Sequence, residues 1–240
     1  MATIDSIGAF FMSYQMQQLS YLIGLTIVLF FLWHTPALYP LKILVVFFHE
    51  SSHAIATLLT GVRVIEMEVV KEAGGHVISS GGNRFITLTA GYLGSLVWGV
   101  SIFLLAVGTH WDRWLMGALG SILVAITLIF IENAFAYGFG LGMGALMILS
   151  AKYLSTQIND VLLRIIGLTS ILYVPLDIYS DTIARSNLRS DARMLAEETG
   201  IATLIWGGIW LGLSLIMIYY CFRLSIKLNP NASKTQENHP

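Results

Sequence analysis

Long apolar runs alternate with short polar stretches along the whole chain. A segment needs about 20 mostly apolar residues to cross the hydrocarbon core of a bilayer, so each long run predicts a membrane-spanning helix. The runs lie at roughly 19–37, 41–60, 85–108, 114–131, 134–151, 158–179 and 200–222. This pattern predicts an all-α polytopic membrane protein with six to seven transmembrane helices, integral to the membrane and multi-pass.

The polar stretch at 61–84 departs from the helical pattern. From Ile65 to Val69, apolar and acidic side chains alternate, and a period of two is typical of a β-strand. The sequence Ala73-Gly74-Gly75 follows and favours a turn. We therefore predict a small β-hairpin at the membrane surface, directly after the second span.

A second polar stretch lies late in the chain. Residues 180–199 are charged and compatible with a helix that ends at Gly200. The last residues, 229–240, are polar and predict a disordered tail. We expect residues 1–228 to form a single transmembrane domain, with 61–84 as its surface hairpin and 180–199 as its charged surface segment.

The composition supports a membrane protein and excludes several other classes. Hydrophobic residues make up 56% of the chain and charged residues 11%, whereas soluble domains carry about 25% charged residues. The mean hydropathy is +0.74, so the lipid bilayer is an expected partner. A net charge of −1 gives no reason to expect a nucleic-acid partner. The single cysteine, Cys221, excludes an internal disulfide and a four-cysteine zinc site.

The second apolar run contains the strongest candidate chemistry. His49-Glu50-Ser51-Ser52-His53 places two imidazoles four residues apart, which puts them on one face of a helix. Two such rings can bind one Zn²⁺, and the intervening glutamate can act as general base in a metallopeptidase. An acidic residue inside a membrane span costs about 2.5–3.5 kcal/mol on insertion scales, which favours a functional role. The alternative is a buried polar cluster that hydrogen-bonds neighbouring helices.

A catalytic zinc site needs a third protein ligand and one open position. Asp177 lies at the end of an apolar run just after Pro175, and Asp181 lies four residues further along the same face. Acidic residues in membrane spans are functional by default. We predict Asp177 as the third ligand, with Asp181 as the alternative, although both positions are also typical of a solvated helix end.

The depth of these residues in the membrane restricts this assignment. His49 and His53 lie about 12–18 Å along their span, and Asp177 lies about 24–28 Å along a parallel span, at about 1.5 Å per residue. The two sites meet only if the later helix starts outside the bilayer, tilts, or breaks at Pro175.

The order of these elements resembles the site-2 protease family of intramembrane zinc metallopeptidases, and its compact bacterial branch in particular. The resemblance covers roughly residues 41–210. It rests on HESSHA at 49–54, the hairpin that follows, TAGYLGS at 89–95, Pro175-Leu176-Asp177, Asp177-Ile178-Tyr179-Ser180-Asp181 and Ser190-Asp191-Ala192. Two positions depart from the family pattern. Ile178 stands where glycine is usual, and Tyr92 stands where proline is usual.

The resemblance implies a function and a set of roles. His49, His53 and Asp177 would bind one Zn²⁺ per chain, and Glu50 would be the catalytic base. The substrate would be a membrane-anchored protein, and the location a bacterial cell membrane. The family's hairpin can add an extended substrate strand, which implies strand addition along residues 64–70. The alternative is an amphipathic hairpin that lies on lipid headgroups. We expect Asp191 to be structural, anchoring the charged segment to the core.

Two functions fit these features of the sequence. The first is a zinc-dependent intramembrane endopeptidase in which Glu50 activates water. The second is a polytopic scaffold or transporter whose polar cluster binds a metal ion or a proton without hydrolysis, since intramembrane acids and histidines also serve ion pathways.

Overall fold

The computed structural model describes residues 2–185 and 188–228, so the predicted disordered tail lies outside the described residues. Within these residues, eight α-helices and one two-stranded sheet follow each other. In order they are α1 (Ala2–Leu32), α2 (Tyr39–Leu59), β1 (Val64–Val69), β2 (Gly75–Ser79), α3 (Arg84–Gly108), α4 (Asp112–Phe130), α5 (Ala134–Tyr153), α6 (Thr156–Tyr179), α7 (Asp191–Thr199) and α8 (Thr203–Lys227). A 3₁₀ turn at Pro36–Leu38 precedes α2, and a π-helical turn at Ser180–Ala184 continues α6.

Seven of the described helices are long and apolar enough to cross a membrane. They correspond to the seven predicted runs, and α7 is the short helix that does not span. The prediction of an all-α polytopic membrane protein with a small hairpin is confirmed. Pro175 lies inside α6, and the helix continues through it to Tyr179. A break at Pro175 is therefore not what brings Asp177 toward the depth of the histidines.

Helix α2 occupies the centre of the bundle. It packs against α3, α6 and both strands, and its described apolar residues from Ile43 to Phe48 are buried. Helices α1 and α8 lie further out, with many exposed apolar side chains, as expected of surfaces that face lipid. The site-bearing helix is therefore the most protected one.

Small residues allow α3 to approach its neighbours closely, as the Gly91, Ser95 and Gly99 stripe predicts. A Cβ added at Gly99 would lie 2.9 Å from the carbonyl oxygen of Gly167 in α6. One turn away, the Ser170 hydroxyl donates to the carbonyl oxygen of Ser95. Gly99 and Ser95 thus contact α6, whereas Gly91 lies against side chains of α2 and α7.

The two strands form an antiparallel hairpin that packs into the helix bundle. Met67 and Val69 of β1 are fully buried, at 0% exposure. The outer edge of β1 is covered, because Met67 forms a bridge with Ile131 and the Asn133 amide donates to the carbonyl oxygen of Val69. The β1 edge is thus occupied at Met67 and Val69, whereas β2 pairs with no second strand among the described residues. The structure therefore favours strand addition along β2 over the predicted addition along residues 64–70.

Tyrosine side chains hold the tip of the hairpin. The Tyr39 hydroxyl donates to the carbonyl oxygen of Lys71 at 2.9 Å, and the Tyr173 hydroxyl donates to that of Ala73 at 3.4 Å. Ala73 has a φ of 57°, a left-handed conformation that costs a non-glycine residue energy. These contacts fix the loop that carries β2 toward α2.

Candidate metal centre

His49 and His53 lie one turn apart on α2 and face the same side, as the motif predicts. Their ring centroids are 4.8 Å apart with an interplanar angle of 68°. The Nδ1 atom of His53 is 2.7 Å from the carbonyl oxygen of Thr87 in α3. That contact requires a proton on Nδ1 of His53 and directs Nε2 toward Asp191, where a metal ion would take the place of a proton.

The side chain that meets both rings is Asp191, the first residue of α7. Its Oδ2 atom lies 3.0 Å from Nε2 of His49 and 3.0 Å from Nε2 of His53. Ligand atoms of a tetrahedral zinc site lie about 3.3–3.4 Å apart when each is about 2.0–2.1 Å from the ion. Among the described residues, these three side chains form the group whose ligand atoms all lie within 4.8 Å of one another.

The surroundings of Asp191 suit a metal ligand. Burial by itself would raise the pKa of this carboxyl group, but the charges and hydrogen bonds of His53 and His49 outweigh it and hold the pKa well below its usual range. Ser190 caps α7, since its hydroxyl accepts from the backbone N–H of Arg193. The carboxylate is thus ionised and fixed at the start of a capped helix.

Asp177 and Asp181, the predicted third ligand and its alternative, lie in the same cavity but outside this group. Both oxygens of Asp181 are engaged: Oδ2 accepts from the Tyr92 hydroxyl and Oδ1 accepts from Arg185. Asp177 has no hydrogen bond or ion pair within the part of the chain that the structure describes. The geometry therefore favours Asp191, which the sequence analysis assigned to an anchoring role.

Gly91 of α3 provides a direct test of whether an ion fits between the three ligands. A Cβ built on Gly91 would lie 2.5 Å from Nε2 of His53, 2.6 Å from Oδ2 of Asp191 and closer still to Nε2 of His49. The three ligand atoms therefore face one common point on the Gly91 side of the group. Two imidazoles and one carboxylate are also a donor set that Zn²⁺ accepts, so the residues present fit the metal.

Glu50 lies beside the ligands, covered by the hairpin. It is 4% exposed, and its Oε2 atom has no hydrogen-bond partner among the described residues. A Cβ added at Gly75 of β2 would lie 2.7 Å from Cγ and 2.7 Å from Oε1 of Glu50. The missing side chain at position 75 therefore lets the strand lie directly over this carboxylate.

A cavity of about 690 Å³ joins these groups. Its walls come from α2, the hairpin, the end of α6 and the start of α7, and they include His49, Glu50, His53, Gly75, His76, Val77, Asp177, Arg185 and Asp191. A volume of this size is within the range of ligand pockets, which is about 300–1,000 Å³. The cavity can hold several residues of an extended peptide next to the three ligands.

Comparison with known proteins gives one result that covers most of the chain. The family model described as Peptidase M50B-like matches residues 22–221. The comparison with curated proteins gave no match, and neither did the comparison with solved structures. The matched range includes α2, the hairpin and α7, and therefore every residue of the candidate centre.

Proposed function

Since the chain belongs to the Peptidase M50B-like family, we propose that it is a zinc-dependent endopeptidase that hydrolyses membrane-anchored proteins within or near the bilayer. One Zn²⁺ per chain would be held by His49, His53 and Asp191. The observation that carries this proposal is the convergence of these three ligand atoms on the point beside Gly91. Family membership also favours a peptidase over a scaffold or transporter.

Individual residues have distinct roles in the proposed reaction. A bound Zn²⁺ would polarise the scissile carbonyl group as a Lewis acid and acidify water. Glu50 is the base that accepts the proton of the attacking water, because its buried Oε2 atom is free of any described partner. Thr87 keeps His53 in the tautomer that leaves Nε2 available.

The hairpin would present the substrate to these groups. A helical substrate must unwind, because its carbonyl groups are otherwise engaged in i→i−4 hydrogen bonds. Strand β2 has its outer edge open among the described residues, and residues 74–78 line the cavity. An unwound segment added along β2 would run past Glu50, with its backbone held by strand hydrogen bonds. We propose a bacterial cell membrane as the location, which the family resemblance favours.

The assignment of the third ligand is tested by metal analysis of purified protein. Asp191→Asn removes a charged ligand that touches both histidines, and we expect zinc content to fall from about one ion per chain to a small fraction of that after dialysis. Asp177→Asn is the matched control, because it neutralises a carboxyl group of the same cavity that contacts neither ring. Loss of zinc in the control alone would assign the ligand to Asp177 instead.

The closeness of β2 to Glu50 gives a second prediction. In Gly75→Ala the new methyl group would overlap Glu50 and the carbonyl oxygen of Glu68, so we expect cleavage to fall by at least about tenfold through displacement of the base. Zinc content should stay at the wild-type level. Gly74→Ala is the matched control, since a Cβ there would meet only Val70, at 3.8 Å. Equal activity of the two variants would contradict the proposed position of the strand.

A further inference from the structure

The two histidines of the centre are held in different ways. A metal-binding histidine usually donates its second ring N–H to an oxygen atom, which fixes the orientation of the ring. His53 does so through Thr87. For the second ring nitrogen of His49, the structure shows no such hydrogen bond within the residues that it describes. Another feature must therefore orient the His49 ring.

Tyr92 is the side chain that packs against this ring. The two ring centroids are 5.2 Å apart with an interplanar angle of 85°, an edge-to-face contact. Tyr92 is 1% exposed, and Trp210 of α8 packs against it with a centroid distance of 4.9 Å. The tyrosine ring is therefore confined between Trp210 and His49, and its position sets the position of the histidine.

The hydroxyl group of Tyr92 fixes its ring from the opposite end. It donates to Oδ2 of Asp181 at 2.6 Å, and Oδ1 of Asp181 accepts from Arg185 at 3.1 Å. Asp181 belongs to the π-helical turn after α6, a type of irregular turn that is frequent at functional sites. A continuous series of contacts thus runs from Arg185 through Asp181 and Tyr92 to His49.

We infer that Tyr92 is a positioning residue for the metal centre, which orients His49 by ring packing in place of a hydrogen bond to its second ring nitrogen. Asp181 holds Tyr92 in that orientation, and Arg185 holds Asp181. Neither Tyr92 nor Asp181 touches the metal position. The inference rests on the proposed zinc site and assigns to Asp181 a supporting role instead of the ligand role considered from the sequence.

The affinity for Zn²⁺, measured on the full-length protein by competition with a chelating dye, tests this inference. Tyr92→Phe keeps the ring and removes the hydrogen bond to Asp181, and we expect the dissociation constant for Zn²⁺ to rise about tenfold, the lower end of the effect of such outer partners. Tyr92→Leu also removes the ring and should raise it further.

Ser170→Ala is the matched control for a general loss of protein stability, which could also weaken zinc binding. Like Tyr92→Phe, it removes one hydroxyl group that links the α6 segment to α3, since Ser170 donates to the carbonyl oxygen of Ser95. This bond lies away from the three ligands, so zinc affinity should stay at the wild-type value. Equal zinc affinities of the Ser170→Ala and Tyr92→Phe variants would overturn the positioning role.

A double-mutant cycle tests whether Tyr92 acts through Asp181. If the two residues act through their shared hydrogen bond, combining Tyr92→Phe with Asp181→Ala should weaken zinc binding no more than the stronger single change does. Additive losses would show that the residues act independently and would contradict the inference. Failure of the wild-type protein to bind zinc would instead refute the proposed function, so the two failures are distinguishable.

Discussion

Replacing Glu50 with glutamine is expected to abolish peptide-bond hydrolysis while leaving zinc bound. Glutamine has the size of glutamate, but its amide group cannot accept a proton from water at neutral pH. Removal of a general base lowers rates by about 10²–10⁴-fold. Glu50 does not belong to the group of three converging ligand atoms, so the metal content should remain about one ion per chain.

The measurement compares cleavage of a panel of labelled single-span peptides in liposomes with zinc content in the same preparations. Glu72→Gln is the control, because Glu72 lines the same cavity but is exposed and lies apart from the ligands. Its cleavage rate should match that of the wild type. Cleavage that survives in Glu50→Gln would refute the proposed mechanism, and a wild-type protein that cleaves no peptide while binding zinc would favour the scaffold or transporter.

The spans and the hairpin could be predicted because both depend on local patterns. Apolar runs of membrane-spanning length and a period of two from Ile65 to Val69 are visible without any tertiary information. The packing of the hairpin could not be predicted in this way. It depends on Ile131 and Asn133 at the α4–α5 junction, which cover the outer edge of β1, and no local pattern relates these distant segments.

The proposed third ligand shows a different limit of sequence reasoning. Asp177 is predicted because it is an acidic residue at the end of an apolar run, a criterion that detects charges within the membrane. Asp191 escapes this criterion, because it lies on α7, a short helix outside the membrane-spanning segments. A signal was nevertheless present: Ser190 is a good helix cap, and Ala192 and Leu195 form an apolar face. That pattern places the first turn of α7 against the core.

Two glycines of the α3 stripe meet different kinds of neighbour. Gly99 allows α6 to approach, and its neighbour in that contact is the backbone of Gly167. Gly91 instead faces the ligand atoms of α2 and α7. The small-residue pattern is the same at both positions, and only the structure distinguishes a contact with a neighbouring backbone from a contact with the candidate ligand atoms.

Replacing Gly91 with alanine is accordingly expected to eliminate zinc binding. The new Cβ would lie 2.5 Å from Nε2 of His53 and 2.6 Å from Oδ2 of Asp191, so it would occupy the space that the ion needs or push α2 and α3 apart. Alanine is favoured over glycine in a helix interior by about 1 kcal/mol, so a weaker α3 would not explain the loss. Metal analysis should give close to zero ions per chain.

Variants of two further glycines distinguish blocking of the ion's position from displacement of the helices. Gly138→Ala makes the same change in a helix where nothing lies within 4 Å of the added Cβ, and it should bind zinc like the wild type. Gly94→Ala would overlap Ser52 of α2 and press on the same helix pair without entering the centre, so it should retain measurable zinc. Wild-type zinc content in Gly91→Ala would show that the three ligand atoms do not converge beside α3, and the proposed centre would then be wrong.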